Sequence, residues 1–305
     1  MLEKKIMNFF AIVIFSTLSV FSQNGEIRNY YDNGVLKEVL NYSNGIMEGQ
    51  SSFYNPFGVI VEIKNYKKGN LHGNAFIYFN SGVLSEILPY KDNKLDGEYT
   101  GYYENGTIKE KGRYQNGLLE GEVIYYYETG ELKGRYFFSN GRRNGICYEY
   151  HKNGKIAAES NFINDTQQGL TRWYYENGNL KGDYNYDSGH LNGLIKEYYD
   201  NKIIMSEKSF IFGKKEGIFK TYYESGKPKS EESYKDGWRV GESKSYYENG
   251  KLWTIQNYKD DRLHGEVKIF RDDSSLWYVE DYDYGEIRSS KEYSPDGKLV
   301  SEKQY

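Results

Sequence analysis

Four histidines and one cysteine are the residues of this chain best suited to nucleophilic or metal chemistry: His72, His151, His190, His264 and Cys147. A thiol nucleophile needs a histidine base within hydrogen-bond reach, and a zinc site needs several ligands at one centre. None of the histidines shares a signature with Cys147 or with an aligned serine. His72 and His264 occupy the same slot of a 24-residue internal period, eight copies apart; at sheet spacing that is roughly 80 Å. Solvated loop positions are expected for the histidines, and a half-buried small-residue position for Cys147.

Carboxylates also recur in columns: Glu38, Glu62, Glu86 and Glu110 form one, and Glu98, Glu122, Glu242 and Glu266 another. Neighbouring copies about 10 Å apart are too distant for a retaining glycosidase pair and at the limit for an inverting one. The cluster Asp260, Asp261, Asp272, Asp273, Asp281 and Asp283 lacks the Asp-x-Asp-x-Asp-Gly order of a calcium loop. An active site needs one special place, and repetition offers none. The reading is a non-enzymatic chain with no cofactor, catalytic residue or metal site.

The elements that carry these residues are copies of one another. Gly34, Gly58, Gly82, Gly106, Gly130, Gly154, Gly178, Lys202, Gly226, Gly250 and Ser274 stand 24 residues apart and mark copies 1 to 11; a twelfth, one residue out of step, runs through Tyr293, Gly297, Leu299 and Tyr305. Tyr or Phe recurs four residues before that slot and eight after it, as in Tyr102 and Tyr114. A fixed period of this length defines a repeat protein.

Two further ladders punctuate the copies. Gly45, Gly69, Asn93, Gly117, Gly141, Asp165, Gly189, Gly213, Gly237, Asp261 and Gly285 admit only residues that tolerate positive φ. Gly49, Gly73, Gly97, Gly121, Gly145, Gly169, Gly193, Gly217, Gly241 and Gly265 admit glycine alone, which suggests close approach of a neighbour. The intervening segments alternate with period two: Ile156, Ala158, Ser160 and Phe162 share one face, and Lys155, Ala157, Glu159 and Asn161 the other. Asn-Gly between such segments signals a hairpin. The fold class is all-β: an elongated single-sheet antiparallel β-meander of about twelve β-hairpin repeats. Trp173, Trp238, Trp253 and Trp277 are read as following no column.

Lys4 and Lys5, the apolar run Phe9–Phe21 and the small residues near Ser22 read as a signal peptide over residues 1–22, with the repeat array over 23–305. Export to the periplasm, outer membrane or medium follows. Removing residues 1–22 takes Lys4, Lys5 and Glu3 from totals of 40 basic and 44 acidic, leaving 38 and 43, net −5. That mild, interspersed acidity gives no footprint for nucleic acid and no strong attraction to anionic membranes. One cysteine allows no intrachain disulfide.

The run Tyr-Tyr-Glu-Asn-Gly-x-Leu-Lys at 174–181, nearly repeated at 246–252 and followed in each copy by Gly-x-x-x-Gly, resembles the MORN repeat. It is most similar to the bacterial variant, often labelled an antitoxin component of toxin–antitoxin systems. The resemblance spans residues 26 to 305 and implies an elongated meander used for protein contact; Lys202, Ser274 and Ser289 depart from its glycine pattern. The expected function is an exported interaction scaffold for a protein or peptide, with a glycan or cell-wall module and an antitoxin-like partner as alternatives. The expected binding surface is the aromatic column Tyr78, Tyr102, Tyr126, Tyr174, Tyr198, Tyr222 and Tyr246.

Overall fold

A computed structural model describes residues 23–305, and the signal-peptide segment lies outside those residues. Among the described residues every regular element is a strand. The strands form one open antiparallel sheet and pair in chain order.

Copy 4 shows the plan. Gly97–Tyr102 pairs with Ile108–Gln115 from Gly97↔Tyr114 to Gly101↔Glu110, and Lys109 is an extra residue before Tyr102↔Ile108. The connecting turn is closed by Gly106 N–H to Tyr103 O at 2.9 Å and Tyr103 N–H to Thr107 O at 2.8 Å, with φ of 85° at Gly106. This is a five-residue hairpin turn whose glycine supplies the left-handed step. The next turn, Asn116–Gly117, has two residues only, at φ 52° and 88°. Both central residues at positive φ match the right-handed twist of the flanking strands.

The all-glycine ladder has a different origin from the one expected. All ten glycines lie at φ between 70° and 130°, and a Cβ on Gly49, Gly121, Gly169, Gly217, Gly241 or Gly265 would meet nothing within 4 Å. Backbone conformation, not a close neighbour, excludes side chains there. These residues sit in a bulge: pairing shifts by two residues between Lys111↔Ile124 and Tyr114↔Leu119. Gly97 at 130° and Gly145 at 105° lie well past the region that Asn and Asp share.

The departures from the glycine pattern keep the fold. Lys202 and Ser274 adopt φ of 69° and 78° and still close their turns onto Tyr199 O and Arg271 O at 2.9 Å. Near Ser289 the bulge holds one extra residue instead of two, between Asp281↔Ser289 and Tyr282↔Ile287. That missing residue is the slip in the last copy.

The core lies on one face of the sheet. One column, Ala75, Tyr99, Val123, Cys147, Thr171, Ile195, Phe219, Ser243 and Val267, is 7% exposed or less. A single layer reaches such burial because rings lie along it over residues with no Cβ. An added Cβ at Gly134 would be 2.5 Å from Tyr136 Cε2, and one at Gly182 would be 2.7 Å from Tyr184 Cε2. Cys147 is therefore fully buried, not half-buried as the sequence suggested, and burial pushes its thiol up.

Candidate functional site: the open face and its edges

Strand alternation sends the other side chains to an open face, where three rows run along the array. The first alternates Ile146, Leu170, Leu194 and Ile218 with their paired residues Asn161, Asn185, Ser209 and Ser233. The second is ionic: Arg172 lies 3.9 Å from Glu159 and 3.5 Å from Asp183, and Lys196 lies 3.5 Å from Glu207. The third is the tyrosine column chosen from sequence.

All seven of those tyrosines are half-buried. The Tyr174 hydroxyl donates to Glu159 at 3.3 Å and that of Tyr222 to Glu207 at 3.1 Å. Burial first, then these carboxylates, raise both phenols. Lys111 sits 5.6 Å from the Tyr126 ring centre. These tyrosines tie the ionic row to the turn edge.

The adjacent column carries a role that sequence reasoning missed. Tyr103 donates its hydroxyl to Tyr126 O at 2.9 Å, and Tyr31, Tyr127, Tyr175, Tyr199, Tyr223 and Tyr247 make the same bond 23 residues ahead. Asn105 Nδ2 adds a second bond to Glu128 O at 3.0 Å. These turns are thus clasped to the next copy, and the doubled tyrosine of Tyr-Tyr-Glu-Asn-Gly was the available signal. Copies 2 and 3, with Asn55 and Phe79 in the slot, are without the bond. His151 fills the clasp slot of copy 6, with Nε2 at 2.9 Å from Tyr174 O, so it is a half-buried structural group and not a solvated one. Arg271 fills it in copy 11, donating to Tyr293 O at 2.6 Å.

In several hairpins the bulge lysine covers the clasp ring: Lys133 lies over Tyr127 at 5.8 Å and Lys181 over Tyr175 at 5.6 Å. Lys152, from the turn of the next copy, also lies over Tyr127 at 5.7 Å. Trp253 takes this place against Tyr247, with ring centres 5.8 Å apart, and Trp277 occupies the same slot one copy on. Those two tryptophans do share a column, contrary to the sequence reading, because an indole can replace lysine as a lid on the ring.

The remaining candidates are dispersed. At the two-residue-turn edge, Glu48 accepts Lys68 N–H at 2.7 Å and Asp96 accepts Asn116 N–H at 3.1 Å. In that column His72 and His264 instead approach Asp92 and Asp283 at 3.5 and 3.3 Å, and both are about a third exposed. His190 is exposed. Asp260 and Asp261 belong to one turn edge, and Asp272 and Asp273 to the other. Glu110 faces the packed side beside Gly101, where burial raises its carboxyl, with Lys109 opposing and Glu86 adding. A shallow cavity of about 240 Å³ on that side is lined by Tyr125, Lys133, Tyr136, Phe138 and Arg143. Burial and Glu110 push the Tyr125 phenol up to about 12.

No curated protein matches the sequence. Among solved structures, a TcdB2–TccC3 crystal structure is similar at 11% identity and a TM-score of 0.17, covering 92% of this chain and 19% of that one. A mutant Tc holotoxin pore of Photorhabdus luminescens is similar at 12% identity and a TM-score of 0.18, covering 91% of this chain and 18% of that one. The chain thus spans about a fifth of the solved chains it matches. The family model described as MORN repeat variant matches residues 23–44, 47–68, 71–92, 95–116, 119–140, 143–164, 167–188, 215–236, 239–260 and 289–305. It passes over the stretches that hold Lys202 and Ser274, whose turns nevertheless keep the same backbone. The chain belongs to the MORN repeat family, in its variant form.

Proposed function

We propose that this protein is an exported, non-enzymatic scaffold that docks a protein or peptide on the open face of its sheet. The observation that carries the reading is the asymmetry of the sheet. One face is filled by the chain's own rings, while the other presents Ile146, Leu194 and Ile218 at 45–57% exposure with no covering layer among the described residues. Exposed apolar strips on a rigid surface mark interaction sites. The clasps hold successive copies in fixed relation, so the surface is preorganised and binding orders little of it.

A glycan module needs aromatic rings that lie flat and open. Here the flat rings, Tyr136 and Tyr184, lie over glycines of the packed face, and the outer tyrosines are half-buried, Tyr174 and Tyr222 with hydroxyls engaged. Both features favour a protein or peptide ligand. The antitoxin reading requires a cytoplasmic chain that retains residues 1–22, which intact-mass measurement of the native protein would reveal.

A photo-crosslinking amino acid placed at Lys196 on the open face, or at the exposed Glu149 on the packed face, tests the proposal in the native host. Adducts of defined mass from Lys196 alone support it. Adducts from Glu149, or none from either, contradict it.

A further inference from the structure

We propose that the row Ile146, Leu170, Leu194 and Ile218 seats a peptide in the polyproline II conformation that carries an apolar side chain at every third residue. The inference rests on the scaffold reading and names the ligand class and the row. In this slot other copies carry solvent-facing residues, Gln50, Asn74, Glu98, Glu122, Glu242 and Glu266. Copies 6 to 9 replace them without interruption by aliphatic residues, exposed at 50, 39, 45 and 57%. Sheet formation does not require this, since the same backbone accepts glutamate on both sides of the run.

Spacing selects the conformation. Two strands per copy place equivalent side chains about 9.6 Å apart along the sheet. A polyproline II helix has three residues per turn and rises about 9.3 Å per turn, so over three intervals it drifts by only about 1 Å. An α-helix with contacts every seventh residue advances about 10.5 Å and is out of step by about 3 Å over the same distance. An extended strand repeats its facing side chains about every 6.7 Å and fits worse.

Area and charge agree with a slender, nearly neutral ligand. Ile163 and Ile211, at 51 and 54% exposure, extend the row toward the two-residue-turn edge. Six half-exposed aliphatic residues offer on the order of 600 Å², short of the about 800 Å² per partner that a stable dimer of this chain would bury. The flanking charges are already matched, Arg172 with Glu159 and Asp183 beside the row, and Arg135 with Glu122 at its end, 2.5 Å apart.

The test uses the full chain and a labelled synthetic peptide of about twelve residues, a Pro-Pro-Leu repeat, read by fluorescence anisotropy. One control has the same composition with its leucines clustered, and another is an amphipathic helix with leucine every seventh residue. The Leu170→Glu/Leu194→Glu variant installs the residue that the slot already holds in neighbouring copies, and its circular dichroism melt verifies folding. The periodic peptide should bind at least about tenfold more weakly to this variant, bind more tightly to Glu122→Leu, and outcompete both controls. Equal binding to the double variant, preference for the helical peptide, or self-association of the chain through the row in sedimentation would overturn the proposal. If partner crosslinks from Lys196 persist on the double-glutamate variant, the scaffold reading stands and this one falls. If crosslinks and peptide binding are both absent, both fall.

Discussion

Copies 1 to 4 and copies 6 to 9 share a backbone and differ on both faces. On the packed face the first set carries Glu38, Glu62, Glu86 and Glu110 where the second carries Ala158, Gly182, Ser206 and Ser230. On the open face, Gln50, Asn74 and Glu98 give way to Ile146, Leu170, Leu194 and Ile218. Because turns, bulges and clasps fix the strands, a slot can change from acid to glycine without moving its neighbours. Specialisation is therefore written in side chains along the array, and each copy serves as a control for the next.

The largest effect expected from breaking this comparison lies in the small-residue column. Gly182→Ala forces a methyl against the Tyr184 ring at 2.7 Å and Lys196 O at 3.1 Å, and should cost about 1–3 kcal/mol in a denaturant titration. Gly101→Ala, on the strand paired with Glu110, which holds the slot of Gly182 in copy 4, meets the flexible Glu110 side chain at 3.2 Å and should cost clearly less. Equal losses would show that the halves are not packed differently.

Backbone strain comes next. Gly121 sits at φ 79° with nothing within 4 Å of an added Cβ, so Gly121→Ala should lose about 1–2 kcal/mol. Gly106→Asn, in a turn that Lys202 and Ser274 already tolerate, should be close to neutral by the same melt.

The clasps set a smaller scale. Tyr127→Phe removes the 2.7 Å bond to Tyr150 O and should cost about 0.5–1.5 kcal/mol. Phe79→Tyr, which adds a hydroxyl in a copy that lacks the clasp, should gain a fraction of that. Thermal midpoints moving in the same direction for both would refute the assigned role.

The smallest effect is protonic. Burial raises the Glu110 carboxyl above its ordinary value of 4.5. The folded state therefore holds that proton more tightly, and stability falls as pH rises from 4.5 through the raised value. Glu110→Gln should melt higher than the parent at neutral pH and alike below the ordinary glutamate range. A variant with the same advantage at every pH would assign the effect to packing and not to charge.

Most of the architecture was legible because turns have chemical requirements. The Gly45 ladder, open to Asn93 and Asp165, could be read as positive φ directly. Gly121 was misread because sequence shows that a side chain is excluded but not whether space or backbone excludes it. The site was less visible. Tyr102 and Tyr103 look equivalent in sequence, yet one faces the ionic row and the other bonds to the next copy. His151 resembled a stray histidine until its place in the clasp column was apparent. The aliphatic row was hidden as well, since single Ile or Leu residues 24 apart become a strip only once the strands are set side by side.

Removing one whole copy tests the modular array most directly. Deleting residues 107–130 joins Gly106 to Glu131 in register and lets the Tyr103 hydroxyl meet Tyr150 O in place of Tyr126 O. Deleting one residue fewer turns the downstream columns to the opposite face unless a bulge absorbs the slip, as one does near Ser289. Small-angle scattering with thermal melts should find the in-register deletion folded and about 10 Å shorter, and the out-of-register deletion clearly less stable. If the in-register deletion unfolds, or the two melt alike, the array is not the sum of neighbouring copies.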